Sequence, residues 1–197
     1  MAVKVFVLSA LLTLACHGTL VAATGLGIAF RLNDTVVTDF DLENMMKFIA
    51  IIEGRTIADY TGRSRDQLRE RAIGAKAEQL IKQQEAARHN ISVSDQELAS
   101  AMSAIPGTGR LKETLRANNV PQKVYEDMIR SDLLWMKLIR QQYMERVYPS
   151  AQDIANHMRQ NPMDDMGTAV NRIVSSRLEQ AAFTRLRDLQ RRVVIEK

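Results

Sequence analysis

Residues whose types could do chemistry are few in this chain, and none of them keeps the company that catalysis needs. His89 and His157 stand alone, without the His-x-x-His or Glu-x-x-His spacing that sets two metal ligands on one helix face, so a surface or capping position is expected for each. Asp164-Asp165 is an acidic pair, but acids beside a helix start complement its dipole, and that is the role assigned to them. Gly25-Leu26-Gly27 lacks the third glycine of a dinucleotide loop, and no Gly-rich loop ending in Lys-Ser or Lys-Thr offers a cradle for ATP phosphates. The serines have no His and acid partners to activate them as nucleophiles. The one cysteine, Cys16, lies in the N-terminal segment. No catalytic residue, no cofactor and no metal ligand is therefore assigned.

What remains is binding chemistry. The chain carries 10 Met but only 1 Trp, 4 Tyr and 5 Phe. Met adapts its shape, and Met-rich surfaces serve binders that accept many sequences. Met45, Met46 and Phe48 fall on a first helix, and Met128, Trp135, Met136, Tyr143 and Met144 fall on a long later one. Any one of them can simply fill the core, but together they exceed one narrow stripe per helix, so they are the candidate client-binding residues.

The elements that must position them begin behind an export signal. Met1 to Lys4 form a short charged start, Val5 to Leu14 are mostly apolar, and Val21-Ala22-Ala23 ends in small residues, placing the cut after Ala23 and the mature protein in the periplasm. A retained anchor is disfavoured because Cys16, His17 and Gly18 interrupt the run. A lipoprotein signal at Cys16 is disfavoured because Thr13-Leu14-Ala15 precedes it. Balanced charge, 27 Lys and Arg against 23 Asp and Glu, argues against a dedicated nucleic-acid binder.

Ile28 to Thr38 reads as a β-hairpin turning at Asn33-Asp34, with Thr38 and Asp41 capping the helix that follows. That helix runs from about Asp39 to Glu53 with Leu42, Met45, Met46, Ile49 and Ile52 on one face, and Gly54 stops it. Ser64 is expected to cap a second helix carrying Leu68, Ala72, Ala75, Leu80 and Ala87 to about His89. Ser94 to Glu97 is a capping box for a short helix to about Ala104, and another short helix spans about Gly109 to Ala117. Pro121 opens the long helix to about Val147. Ser150 to Asp153 opens a further short helix, Met158 to Met163 is a turn around Asn161-Pro162, and a helix from about Asp164 carries Val170, Ile173, Val174, Leu178, Ala182, Leu186 and Leu189. Arg185, Arg187, Arg191 and Arg192 make its basic end, read as a solvated face. Val193 to Ile195 is the only other β-branched run, expected to pair with the hairpin, because two strands alone are marginal.

The order Asn33-Asp34-x-Val36-Val37-Thr38-x-x-Asp41 behind a signal resembles the mature N-terminus of the SurA-like periplasmic chaperones. The terminal helix and strand resemble the element that closes their chaperone core. The resemblance implies a mostly α fold, a helical chaperone core over residues 24–197 (24–160 and 161–197) whose N-terminal hairpin is joined by a C-terminal strand. It implies an ATP-independent holdase for unfolded outer-membrane or secreted polypeptides. In the family a parvulin-type prolyl isomerase domain follows the Ser150 helix, whereas here a handful of residues stand at that point, too few for a domain. Peptidyl-prolyl isomerisation and a non-catalytic envelope adaptor are the competing functions.

Overall fold

Asn33 turns the chain at the start of the described structure, a computed structural model covering residues 27–196. The signal expected over residues 1–23, with Cys16, lies outside the described residues. Strand β1 (Ile28–Leu32) and strand β2 (Thr35–Thr38) pair antiparallel across the two-residue turn. Of the two turn residues, Asn33 takes the positive φ, 52°, which an Asn side chain tolerates. A bulge between Ile28 and Phe30 breaks the alternation of faces, so that Ala29 and Phe30 are both buried along with Leu32 and Val37.

Thr38 caps helix α1 (Asp39–Ile52) by a full box: its hydroxyl accepts from the Asp41 amide at 3.1 Å, and the Asp41 carboxylate accepts from the Thr38 amide at 3.1 Å. Gly54, at φ 70°, ends it. After a 3₁₀ turn (Ile57–Asp59) comes helix α2 (Arg63–Arg88), two residues earlier than the Ser64 cap predicts. Gly62 holds the cap position, and Ser64 instead accepts from the Thr61 amide at 3.0 Å. Helices α3 (Asp95–Ala104), α4 (Thr108–Ala117), α5 (Gln122–Val147), α6 (Ala151–Gln160) and α7 (Met166–Gln190) follow, and strand β3 (Ile195–Glu196) closes the described chain. The predicted box at Ser94 is formed and the helix expected at Ser150 opens with a box of its own, while Pro121 sits at the cap of α5 rather than at its first turn.

The strand order is β2-β1-β3, with Leu32 opposite Ile195 and Arg31 opposite Glu196. The expected closure of the hairpin by the C-terminal strand is present, shifted toward the C-terminus: Val193 packs against the core and Val194 is exposed. Gln84 of α2 ties this sheet to the bundle, accepting from the Asn33 amide group at 2.8 Å and donating to the Thr35 hydroxyl at 3.1 Å.

The long helices α2, α5 and α7 form the body. Helix α2 packs against α1, α5 and α7, and α5 packs also on α3, α4 and α1. That many neighbours corrects the predicted phase of α2. Ala75 and Ala87 face solvent, while Ile73, Ala77 and Ile81 join Leu68 and Ala72 inside. Alanine carries little apolar area, so an alanine stripe is a weak guide to which side is buried. On α1, Ile52 is exposed at the last turn rather than on the buried face. The stripe predicted for α7 holds: Leu178 and Leu189 are buried, and Val174, Ala182 and Leu186 pack partly buried against the core.

Candidate functional site

Half of the eight candidate client-binding residues are interior. Met45, Met46, Phe48 and Trp135 are between 3% and 6% exposed and belong to the main core cluster. Phe48 stacks on Tyr125 with ring centroids 6.1 Å apart, joining α1 to α5. A client cannot reach these four without unfolding the domain. The cause is that the broad apolar surfaces of α1 and α5 are each met by several helices, so breadth reflects the number of neighbours rather than an open groove. Met128 and Tyr143 are half-buried against the same cluster, Met136 is half-buried, and Met144 alone is exposed, at 42%.

Other apolar side chains are more open. Tyr148 just past α5, Met163 in the α6–α7 turn, Met166 at the start of α7 and Phe183 in its second half are each exposed by more than 60%, and Met163 is almost wholly in water. Two of these carried a sequence signal. Phe183 lies off the Val170 to Leu189 stripe, and Met163 sits in the turn after Asn161-Pro162.

These residues belong to α7 and to the connections on either side of α6. Helix α6 buries no residue completely and packs on α7. Arg177 of α7 fixes the junction, donating to the Val147 carbonyl at 3.4 Å and pairing with Asp153 at 3.1 Å. Asp153 is held below the usual carboxylate range, first by the Ser150 amide and hydroxyl and then by Arg177. Between α5 and α7 a hollow of about 360 Å³ is edged by Tyr143, Arg177, Gln180, Ala181 and Thr184. Tyr143 thus borders a polar-rimmed recess, with exposed Met144 next to it in the chain.

The acids and histidines serve structure. Asp165 caps α7, accepting from the Thr168 amide at 2.7 Å. Asp164, only 7% exposed, meets His157 and Arg172 at 2.9 Å each, clamping the α6–α7 turn. His89 faces Glu85 at 3.6 Å. Among the described residues, no three His, Cys, Asp or Glu side chains are grouped to hold a metal ion. No helix among them is long and apolar enough to cross a membrane.

At the basic end of α7, Arg187, Arg191 and Arg192 are exposed, as a solvated face requires, and Arg185 alone departs from it. Arg185 donates to Glu85, whose side chain is 4% exposed on α2, tying together residues 100 positions apart. Burial pushes the Glu85 carboxyl up, but the hydrogen bond and charge of Arg185 more than offset this and leave it below its usual value. A second ionic node lies at the far end of α1, where Glu53 accepts from both Arg71 and the Tyr60 hydroxyl while the Arg55 guanidinium sits 4.1 Å over the Tyr60 ring.

Where α6 ends at Gln160 and α7 begins at Met166, five residues intervene, and the described structure holds one helical domain. Among curated proteins nothing matches the chain. Against protein families, the SurA-like N-terminal domain matches residues 2–139, a span that takes in the hairpin, α1 to α4 and the first two-thirds of α5. That covers well over half of the chain and agrees with the capped hairpin-to-helix junction from which the structure is built. The chain belongs to the SurA-like N-terminal domain family.

Proposed function

We propose that this protein is an ATP-independent periplasmic chaperone that holds unfolded polypeptides, outer-membrane protein precursors among them, without catalysing prolyl isomerisation. Family membership supports a chaperone-like role. The observation that carries the reading is the set of large apolar side chains which core packing leaves in water on α5, on α7 and in the connections on either side of α6: Met144, Tyr148, Met163, Met166 and Phe183. Full burial of one such side chain is worth about 1.5–3 kcal/mol, so three or four engaged together give micromolar binding once the ordering of the client is charged against them. Affinity in that range lets a client be held and then released without a nucleotide cycle.

The test is light scattering of a denatured β-barrel precursor diluted into buffer with and without a several-fold excess of the purified protein. The reading expects suppression that needs no nucleotide and weakens when Met144, Tyr148 and Phe183 are replaced together by Ser. If the wild-type protein leaves aggregation unchanged, the holdase reading fails and an adaptor for a folded envelope partner takes its place. Catalysis in a proline-peptide assay, proportional to added protein, would overturn the non-enzymatic part.

A further inference from the structure

The three-stranded sheet has two edges, and they are guarded unequally. On one side β3 carries Glu196, with Arg191 and Arg192 a few residues before it. On the other side β2 reads Thr35-Val36-Val37-Thr38, without a charge or a proline, and the bulge of this sheet lies in β1. Charge, proline and bulges keep an edge strand from pairing with another chain, and β2 has none of them. Its Val36 side chain is 44% exposed.

The register shows which backbone groups this edge offers. Leu32 and Thr35 close the two-residue turn and exchange both of their ladder hydrogen bonds, so the next pair, Arg31 and Val36, is the non-bonded kind. The amide and carbonyl of Val36 therefore point away from β1, the one strand beside β2, and no backbone bond from outside the sheet reaches them among the described residues. Two positions on, the edge is closed. The Thr38 amide donates to the Asp41 carboxylate at 3.1 Å, and the Thr38 carbonyl, at an N-cap, serves the first turn of α1. The open edge is thus a window one residue wide. An antiparallel strand laid along it sets one residue opposite Val36 and exchanges two hydrogen bonds with it. A donor and an acceptor in that arrangement select extended polypeptide backbone, the ligand of strand addition. Asp34 and Asp39 stand exposed at the two ends of β2, so the charge that complements this edge is positive on both sides of an apolar centre.

We propose that β2 binds an extended polypeptide segment as a fourth strand, antiparallel and centred on Val36, with an apolar residue opposite Val36 and Lys or Arg toward its ends. The inference rests on the proposed holding of unfolded polypeptide, and it names the part of a client held at this edge, a β-forming stretch.

Hydrogen exchange with the full chain tests it, using a heptapeptide of alternating Val and Thr with a Lys at each end. Saturating peptide should slow exchange of the Val36 amide at least about tenfold and leave the Thr38 amide, already bonded, little changed. The same peptide N-methylated at its three central residues cannot complete the ladder and should bind at least about tenfold more weakly by fluorescence anisotropy, since two net hydrogen bonds are at stake. Val36→Pro removes the donor at a position where an edge strand accommodates proline, and it should erase the difference between the two peptides. If that variant does not fold, the N-methylated peptide against the wild-type protein decides alone. Equal binding of the two peptides, or unchanged exchange at Val36, would overturn the proposal. Equal binding when Glu replaces both Lys would overturn the occupant named, and Val36 protection that rises with protein concentration in the absence of peptide would overturn it in favour of a second copy of this chain. The aggregation assay separates the two readings. Suppression of precursor aggregation without Val36 protection sinks the edge alone, and Val36 protection without suppression sinks the holdase alone.

Discussion

Replacing Arg185 by Met should destabilise the domain by an amount that depends on pH, because what is lost is the partner of a buried charge. Glu85 is 4% exposed, and without Arg185 its remaining partners are Arg88 at 3.4 Å and His89 at 3.6 Å, both largely in solvent. Removing one member of a fully buried pair costs about 3–5 kcal/mol. Arg185 is 30% exposed, and Arg88 can screen the orphaned carboxylate, so about 2–3 kcal/mol is expected at pH 7.5. For a chain of this size that corresponds to a melting shift of roughly 5–10 °C. The pH dependence follows from the direction of each shift. In the wild type Glu85 is depressed, so its contribution is present above the unfolded carboxyl value of about 4.3 and is lost as the pH falls through the lower folded value. In the variant burial dominates and raises the folded value, so the penalty falls on the charged form and fades as the pH drops toward 4.3 and the carboxyl takes a proton. Urea titrations at pH 7.5 and pH 4 should therefore give a difference between the two proteins that shrinks by more than half at the lower pH. An equal difference at both pH values would refute the argument and assign the loss to the packing of the arginine methylenes.

Trp135→Ala should cost about 3–5 kcal/mol by chemical denaturation, as for any large buried aromatic, while Met144→Ser should stay within about 0.5 kcal/mol and still weaken client binding. A Trp135→Ala protein as stable as the wild type would place the core elsewhere. Deleting residues 191–197 removes β3 and the Val193 contact, and it should lower the hydrogen-exchange protection of Phe30 and Leu32 in β1 as well as the melting temperature. Protection unchanged at those two amides would show that the hairpin stands without its third strand. The Glu97 carboxyl is drawn down to about 2 by Lys137 first and then by the Ser94 amide and hydroxyl. A carbon NMR titration should find it ionised far below the ordinary Glu range, and Lys137→Met should move the midpoint upward; no movement would leave the capping box as its sole cause.

The parts of this fold that were legible in the sequence are those whose cause lies within a few residues. Thr38 with Asp41, Ser94 with Glu97 and Ser150 with Asp153 each close a box over four positions, and each marks its helix start to within a residue. The Val193 to Ile195 run could be paired with the hairpin because a two-stranded sheet needs a third strand and no other β-branched run was available. What failed to read through depends on how many elements surround a helix, which no local spacing records. Met45, Met46, Phe48 and Trp135 looked surplus to a single packing stripe, yet α1 and α5 are covered from several directions and those side chains are core. Arg185 looked solvated because its partner, Glu85, is 100 positions away. A binding surface leaves a trace only where a helix has few neighbours. In a helix with many neighbours, apolar density is uninformative, since every side of it can be interior. In α7, whose apolar residues hold to one stripe, a Phe183 off that stripe is committed to water, and a Met163 in a five-residue turn has no helix face to bury it. Apolar residues that break the local pattern, rather than those that enrich it, are therefore where the search for client contacts should start.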